Sequence, residues 1–217
     1  MHLRRHAKKR PGLQVRKYGS YHSMPWRNGR GFTREIAREP AVGQGFAWRL
    51  SLADIEHNGD FSPYPGYRRA LVLVAGKRLR LQFRGRGNCL LDPGKRGTRF
   101  EGDWETRCAV PDGRCTDLSL IVRRGQTARP AAVVRAPRTV RVATAARLAL
   151  AADLHSALFV LEGSVAIAES QRARARTLRA QDTLLVSPGR QRTLRLRRLG
   201  QSAVKLVLLR WRPGLLR

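Results

Sequence analysis

Short apolar stretches separated by Gly, Pro and Asp recur along the chain, and they follow two kinds of pattern. Residues 46–53 alternate between apolar and polar positions with a period of two, which is typical of a strand with one buried face. Residues 70–76 are apolar without interruption up to Gly76, which is typical of a strand buried on both faces. The same criteria predict strands over 79–83 (at hairpin distance from 70–76), over 98–100 and 106–110 (as a further pair), and over 117–122.

The second half of the chain repeats this arrangement. Strand patterns lie over 133–142, 156–163, 164–168, 183–189, 193–199 and 203–211. An apolar strand, a Gly turn and a second strand occur in this order around Gly76 and again around Gly163. The alanine-rich segment 143–150 is the one helix candidate. Many short strands with an internal repeat of half the chain predict an all-β protein built from two stacked jelly-roll-like barrels.

The charge of the chain raises the question of a polyanion partner. It carries 44 Lys plus Arg against 15 Asp plus Glu, a net charge of +29. A field of this size attracts nucleic acid, and residues 1–17, which contain no acid, are predicted to form a flexible basic arm. Many arginines alternate with apolar residues, as in 193–197, which instead indicates Arg on the solvent face of strands. A nonspecific nucleic-acid surface and a merely solvated surface both stay open.

Other features of the composition favour a cytoplasmic protein that does not span a membrane. No stretch approaches the roughly 18 uninterrupted apolar residues of a membrane-spanning helix. The basic N-terminus is not followed by an apolar segment, so it is not predicted to be a secretory signal. Cys89, Cys108 and Cys115 lack metal-like spacing, which predicts reduced thiols.

The segment 23–35 has the composition of a ligand pocket rather than of a plain core strand. It contains Trp26, Asn28, Thr33 and Glu35 around glycines that allow close backbone approach. The amide, hydroxyl and carboxylate offer donors and acceptors, and the indole offers a flat apolar wall. The alternative is that the Trp belongs to the core and the Asn forms a turn.

Two further segments contain candidate pocket residues. Arg49 and Ser51 share one face of the alternating strand 46–53, and periodicity does not decide whether that face meets solvent or lines a barrel. If it lines a barrel, the arginine is suited to anchor a ligand carboxylate. The loop 61–66 is stiffened by two prolines, and Phe61, Ser62 and Tyr64 would contact a ligand if the loop rims the barrel. The alternative is that the loop has only a structural role and contacts no ligand.

These motifs together resemble the HutD/Ves family. The resemblance rests on 23–37, 48–54, 59–66 and 118–125, and it covers about residues 20–130 by motif and 131–217 by length and strand pattern. Members of that family are bicupins, which implies a first cupin barrel over 18–130 and a second, cupin-like barrel over 131–217. The family is bacterial and cytoplasmic, Ves is associated with stress, and neither a metal nor a cofactor is expected.

The family also implies a ligand. HutD is associated with histidine utilisation and is thought to bind a small anionic metabolite such as N-formylglutamate or urocanate and so to limit flux. In this chain the arginines would hold the carboxylates, and the segment 23–35 would contact an amide or imidazole. The predicted ligand-binding residues are Trp26, Asn28, Thr33, Glu35, Arg49, Ser51, Phe61, Ser62, Arg69 and Arg123. The sequence departs from the family pattern at Arg30, Arg68 and Ser119, so ligand identity does not transfer directly.

The sequence contains no recognisable metal or catalytic motif. Metal-binding cupins use a His-x-His pair with a nearby Glu, and no such pair occurs outside the basic arm. His155 is isolated and fits an ordinary structural histidine. Catalysis stays open because Glu35, His57 and Asp60 would form an acid–base group if the fold brought them together. The oligomeric state is not predicted.

Overall fold

The computed structural model describes residues 12–26, 31–41, 44–125 and 132–214. Within these ranges, the first half of the chain forms β1 (Leu13–Arg16), a 3-10 turn (Tyr18–Ser20), β2 (His22–Pro25), β3 (Gly31–Pro40), β4 (Phe46–Ile55), β5 (Gly59–Asp60), β6 (Tyr67–Ala75), β7 (Leu79–Phe83), β8 (Gly87–Leu91), β9 (Thr98–Glu101), β10 (Thr106–Ala109) and β11 (Cys115–Arg123). The second half forms β12 (Val133–Val134), β13 (Arg138–Val142), β14 (Ala145–Leu150), β15 (His155–Glu162), β16 (Ser164–Ala168), β17 (Arg176–Arg179), β18 (Thr183–Val186), β19 (Arg192–Leu199) and β20 (Val204–Arg212).

These strands form four sheets, which pair into two barrels. In the first barrel the sheet β2-β3-β4-β11-β6-β9 faces the sheet β5-β10-β7-β8, and buried side chains from both sheets fill the space between them. In the second barrel the sheet β1-β18-β15-β20-β12, extended by β13 on β20, faces the sheet β14-β19-β16-β17. The described residues contain no α-helix. The all-β prediction with two stacked barrels is therefore confirmed.

The two six-stranded sheets pack against each other through a third apolar core. Trp48 and Leu50 of β4 contribute to it from one side, and Phe159, Val207 and Trp211 from the other. Both faces of the central strands are therefore buried, one against the other barrel and one inside its own barrel. This explains the uninterrupted apolar run of β6.

The internal repeat extends to the backbone. The β6–β11 ladder shifts register between Thr116 and Asp117, and the β15–β20 ladder shifts between Val160 and Glu162. Each irregularity lies just before a turn glycine in the left-handed region, Gly76 at φ +89° and Gly163 at φ +79°. Because a β-bulge bends its strand, the equivalent strands β6 and β15 bend at equivalent positions in the two barrels.

Several local predictions were wrong. Residues 13–16 do not belong to a flexible arm, because β1 pairs with β18 and packs against the core of the second barrel. The helix candidate 143–150 is instead β14, whose Leu148 and Leu150 alternate with exposed residues. Strand β7 pairs with β8 and β10 rather than forming a hairpin with β6. Strands β9 and β10 exist, but they belong to different sheets.

Candidate functional site

A cavity of about 670 Å³ lies inside the first barrel, at the end where the loop 61–66 meets β2 and β3. This volume falls within the range of roughly 300–1,000 Å³ that is usual for small-molecule sites. The lining residues are Met24, Pro25, Trp26, Thr33, Arg49, Ser51, Ala53, Asp60, Phe61, Ser62, Tyr64, Arg69, Asp117, Ser119 and Ile121.

Strand pairing sets the positions of the polar side chains on the floor of the cavity. Arg49 of β4 lies opposite Ile121 of β11, which in turn lies opposite Arg69 of β6. One row further along, Ser51 lies opposite Ser119. Because neighbouring strands are about 4.8 Å apart, the α-carbons of the two arginines are separated by roughly 10 Å on one face. This resolves the orientation that periodicity left open, since the other face of β4 packs against the second barrel.

The two arginines are held by aromatic rings and oxygen atoms rather than by carboxylates. Arg49 donates a hydrogen bond from Nη2 to Tyr64 Oη at 2.8 Å, and its guanidinium carbon lies 5.3 Å from the centre of the Tyr64 ring. The Arg69 guanidinium carbon lies 4.8 Å from the Phe61 ring centre and 5.0 Å from that of Phe100. Neither arginine forms an ion pair with any residue in the described part of the chain. The cavity therefore contains two cations without a direct anionic partner.

Asp117 gives the cavity an acidic group of unusual character. Its side chain is 1% exposed, and its Oδ1 has no hydrogen-bond partner among the described residues. Burial raises the pKa of Asp117 to about 7, an effect that the nearby Arg69 opposes and Asp54 reinforces. Burial likewise lowers the pKa of Arg69 to about 10, against the attraction of Asp117. Near neutral pH, the Asp117 carboxyl group can therefore either donate or accept a hydrogen bond.

An aromatic wall borders these polar groups. Trp26 donates a hydrogen bond from Nε1 to Thr33 Oγ1 at 2.8 Å, which fixes the indole beside the hydroxyl. Backbone hydrogen bonds from Phe61 to Thr106 and from Tyr64 to Gly102, both 2.8 Å, hold the loop that carries the other rings. The wall is therefore fixed in place by hydrogen bonds at both ends.

The structure brings most of the sequence-predicted residues together. The predicted residues that line the cavity are Trp26, Thr33, Arg49, Ser51, Phe61, Ser62 and Arg69. Glu35 lies outside the lining and faces Arg38, with 3.5 Å between Oε1 and Nε. Arg123 also lies outside it and donates hydrogen bonds to Tyr67 Oη and to the Gln44 carbonyl. Asn28 lies outside the described residues, so its predicted role stays a prediction.

Sequence reasoning missed Asp117 and gave Tyr64 only a minor place. Asp117 is the first residue of the run 117–122, and its alternation with Ser119 was a signal that this strand has a polar inner face. Arg68, which departs from the family pattern, does not enter the cavity but pairs with Glu101 at 2.9 Å. Of the hypothetical acid–base group Glu35, His57 and Asp60, only Asp60 lines the cavity, so that hypothesis is not supported.

Two other kinds of feature are absent from the described residues. They contain no group of three or more His, Cys, Asp or Glu side chains placed to hold a metal ion. None of their helical segments has the length and apolarity needed to cross a membrane.

Two barrels packed back to back through their larger sheets, with a cavity inside one of them, define a bicupin. The protein-family model HutD matches residues 18–204, and the chain belongs to the HutD family.

Individual relatives agree with this assignment. A protein from the hutC 3' region of Pseudomonas putida is 40% identical over 110 residues, which cover 50% of this chain and 57% of the relative. Protein Ves of Citrobacter koseri is 35% identical over 112 residues, with coverages of 50% and 58%. The matched region is thus less than two thirds of the length of either relative.

Solved structures extend the similarity over nearly the whole chain. A conserved protein of unknown function from Pseudomonas aeruginosa PAO1 is 30% identical with a TM-score of 0.79, covering 92% of this chain and 98% of that one. HutD of Pseudomonas fluorescens SBW25 is 27% identical with a TM-score of 0.73, covering 93% and 100%. Oxalate decarboxylase of Lactobacillus farciminis, 7% identical with a TM-score of 0.66, shares only the fold.

Proposed function

We propose that the cavity of the first barrel binds a small carboxylate metabolite and that the protein has a HutD-like role in histidine utilisation. The family assignment supports the general role, as does the position of the Pseudomonas putida relative in the hutC 3' region. N-formylglutamate and urocanate are the ligands to test first, because each combines a carboxylate with a polar nitrogen group. The proposal assigns binding, with regulation or buffering of the pathway as its consequence.

The observation that carries the proposal is the lack of a carboxylate partner for Arg69. Arg69 is 8% exposed, its Nε has no hydrogen-bond partner among the described residues, and its Nη1 donates only to the Ser62 carbonyl oxygen at 3.4 Å. It forms no ion pair with any described residue. A buried cation is costly unless it is paired and hydrogen-bonded. A ligand carboxylate between Arg69 and Arg49 would satisfy both side chains, and guanidinium groups bind carboxylates strongly.

The other half of the cavity supports a ligand that also carries a nitrogen group. Ser119 Oγ and Asp117 Oδ1 are buried and have no hydrogen-bond partner within the described ranges. Both can accept from an N–H group, and a protonated Asp117 can donate to a carbonyl. An amide or imidazole about one strand spacing from the carboxylate would therefore find partners.

Isothermal titration calorimetry on the full chain tests this function with urocanate, N-formylglutamate, glutamate and histidine. We expect at least one of the first two to bind and Arg69→Met to weaken it at least about 30-fold, since removing one partner of a buried charge pair costs roughly 2–5 kcal/mol. Arg69→Lys should recover part of the affinity, because it restores the charge but not the planar fork. Arg86→Gln is the matched control, because Arg86 is exposed and stacks on Trp104 away from the cavity.

Two outcomes would contradict the proposal. One is the absence of both heat and thermal stabilisation at millimolar concentrations of all four compounds, because a ligand of the folded state must stabilise it. The other is binding that Arg49→Met and Arg69→Met leave unchanged.

We also propose nonspecific polyanion binding as a second function, on the outer face of the sheet β14-β19-β16-β17. Arg147 lies directly opposite Arg195, with Arg197 two residues further along the same strand. None of the three forms an ion pair with another described residue, and like charges placed opposite each other are unfavourable unless an anion is present. Heparin or DNA affinity should fall steeply with salt and weaken in the triple Arg→Gln variant. A salt-independent affinity, or an unchanged variant, would contradict this function.

A further inference from the structure

A second cavity, of about 380 Å³, lies between the two barrels and is separate from the first. Both halves of the chain line it: Ala37 and Trp48 come from the first barrel, and Arg16, His155 and Trp211 from strands of the second. Trp48 and Arg49 are consecutive residues on opposite faces of β4, so the same strand forms part of both cavities.

Three rings form a fixed wall in this inter-barrel cavity. The His155 and Trp211 rings stack with their centres 5.3 Å apart and their planes at 10°. The Trp48 ring meets Trp211 edge-on, at 4.9 Å and 64°. Glu39 accepts a hydrogen bond of 2.6 Å from Trp48 Nε1, and its carboxylate lies 3.7 Å from His155 Nε2. The wall therefore presents a rigid aromatic surface, against which a flat ligand can stack.

Two donors beside this wall lack acceptors among the described residues. Trp211 is 1% exposed, and its Nε1 has no hydrogen-bond partner there. The Nε atom of Arg16 is also buried and also has no partner there. By contrast, the indoles of Trp26 and Trp48 donate to Thr33 and Glu39. A buried donor without a partner costs about 1–3 kcal/mol, and native proteins rarely leave one unsatisfied.

We propose that the inter-barrel cavity is a second binding site, for a small monocarboxylate with a flat apolar body. The carboxylate accepts hydrogen bonds from Trp211 and Arg16, and the flat body lies against the ring wall. Both unsatisfied groups are donors and one is cationic, so the missing partner is an anionic acceptor. The cavity volume lies within the usual range for such ligands, roughly 300–1,000 Å³.

The charges around the cavity favour one carboxylate over two. Glu39 faces the rings from β3 and repels a second anionic group, while Arg38 at the rim is already shared with Glu35. Burial lowers the pKa of His155, so its ring is neutral near pH 7 and adds no cation for a second carboxylate. This separates the inter-barrel site from the first cavity, where two arginines are available.

Benzoate is the probe, with benzyl alcohol as its uncharged analogue. Calorimetry and intrinsic tryptophan fluorescence on the full chain should show saturable benzoate binding that benzyl alcohol does not reproduce. Trp211→Phe keeps an aromatic ring but removes the N–H group, and Arg16→Met keeps the length but removes the charge. Each should weaken benzoate about tenfold or more, as expected for the loss of a hydrogen bond to a charged group. Arg86→Gln and the double variant Arg49→Met/Arg69→Met should retain the affinity.

Three results would overturn the proposal. The first is that benzoate shows no saturable binding. The second is that the Trp211→Phe and Arg16→Met variants bind benzoate as tightly as the unsubstituted protein. The third is that only the Arg49→Met/Arg69→Met variant loses binding, which would place benzoate in the first cavity. Circular dichroism of each variant checks that it is folded, and Arg16→Met tests the site if Trp211→Phe does not fold.

Discussion

When the two barrels are aligned at their β-bulges, Asp117 and Ser119 of the first barrel occupy the positions of Leu206 and Leu208 in the second. By the same alignment, Arg69 of the first barrel is equivalent to Ser156 of the second. In the second barrel the leucines fill the interior, whereas in the first the polar residues border an open cavity. Backbone, bulge and turn glycine are alike, so a few inward positions on the central strands distinguish a packed core from a binding site.

The packing of the sheets makes this difference possible. The polar inner face of β4 is tolerated because its other face, with Trp48, Leu50 and Leu52, is buried against the second barrel. The stability of the first barrel therefore depends on the inter-barrel core and on the apolar end of its interior, where Leu71, Leu73 and Leu81 lie. Apolar side chains fill the interior of the second barrel, whereas the interior of the first barrel keeps a cavity.

The largest effect is expected from a matched pair of alanine substitutions at equivalent positions. Leu208→Ala should lower the free energy of unfolding by about 2–5 kcal/mol, because Leu208 is 1% exposed and its loss leaves a void. Ser119→Ala should change it by less than about 1 kcal/mol, because Ser119 Oγ has no partner within the described residues. Urea denaturation measures both. Equal costs would show that the two interiors are packed alike.

The next effect concerns pH. The folded protein retains the Asp117 proton up to about pH 7, whereas the unfolded chain releases it near the ordinary carboxyl value. Stability should therefore fall as pH rises from about 4 through about 7, by on the order of 4 kcal/mol, and level off once Asp117 is ionised in the folded protein as well. Asp117→Asn should remove this part of the pH dependence in denaturation curves. The control Asp60→Asn, at an exposed position, should keep the wild-type profile, and an unchanged profile in Asp117→Asn would contradict the assignment.

A smaller effect should distinguish the two turn glycines. A Cβ on Gly76 would lie 2.6 Å from Cys115 Cβ and 2.8 Å from the Arg114 carbonyl oxygen, whereas on Gly163 the nearest atoms lie at 3.2 Å. Both glycines have positive φ, so Gly163→Ala should cost about 1 kcal/mol and Gly76→Ala roughly 1 kcal/mol more. Thermal denaturation compares them. A larger cost at Gly163 would show that the tighter corner lies in the second barrel.

The strands and the repeat could be predicted from the sequence because period-two patterns and turn glycines are local signals. The orientation of Arg49 could not, because β4 is buried on both faces and only the packing of the barrels distinguishes them. The pairing of β1 with β18 joins Leu13 to Val186, a contact too distant in sequence for local pattern to indicate. Asp117 was missed because one acid in an apolar run indicates burial without showing what it faces.

A crystal structure of the full chain with urocanate or N-formylglutamate would show where the ligand binds. We expect the ligand inside the first barrel, with a carboxylate hydrogen-bonded to the guanidinium groups of both Arg49 and Arg69 and a nitrogen group near Asp117 and Ser119. A ligand bound elsewhere, or in that cavity without contact to either arginine, would contradict this expectation.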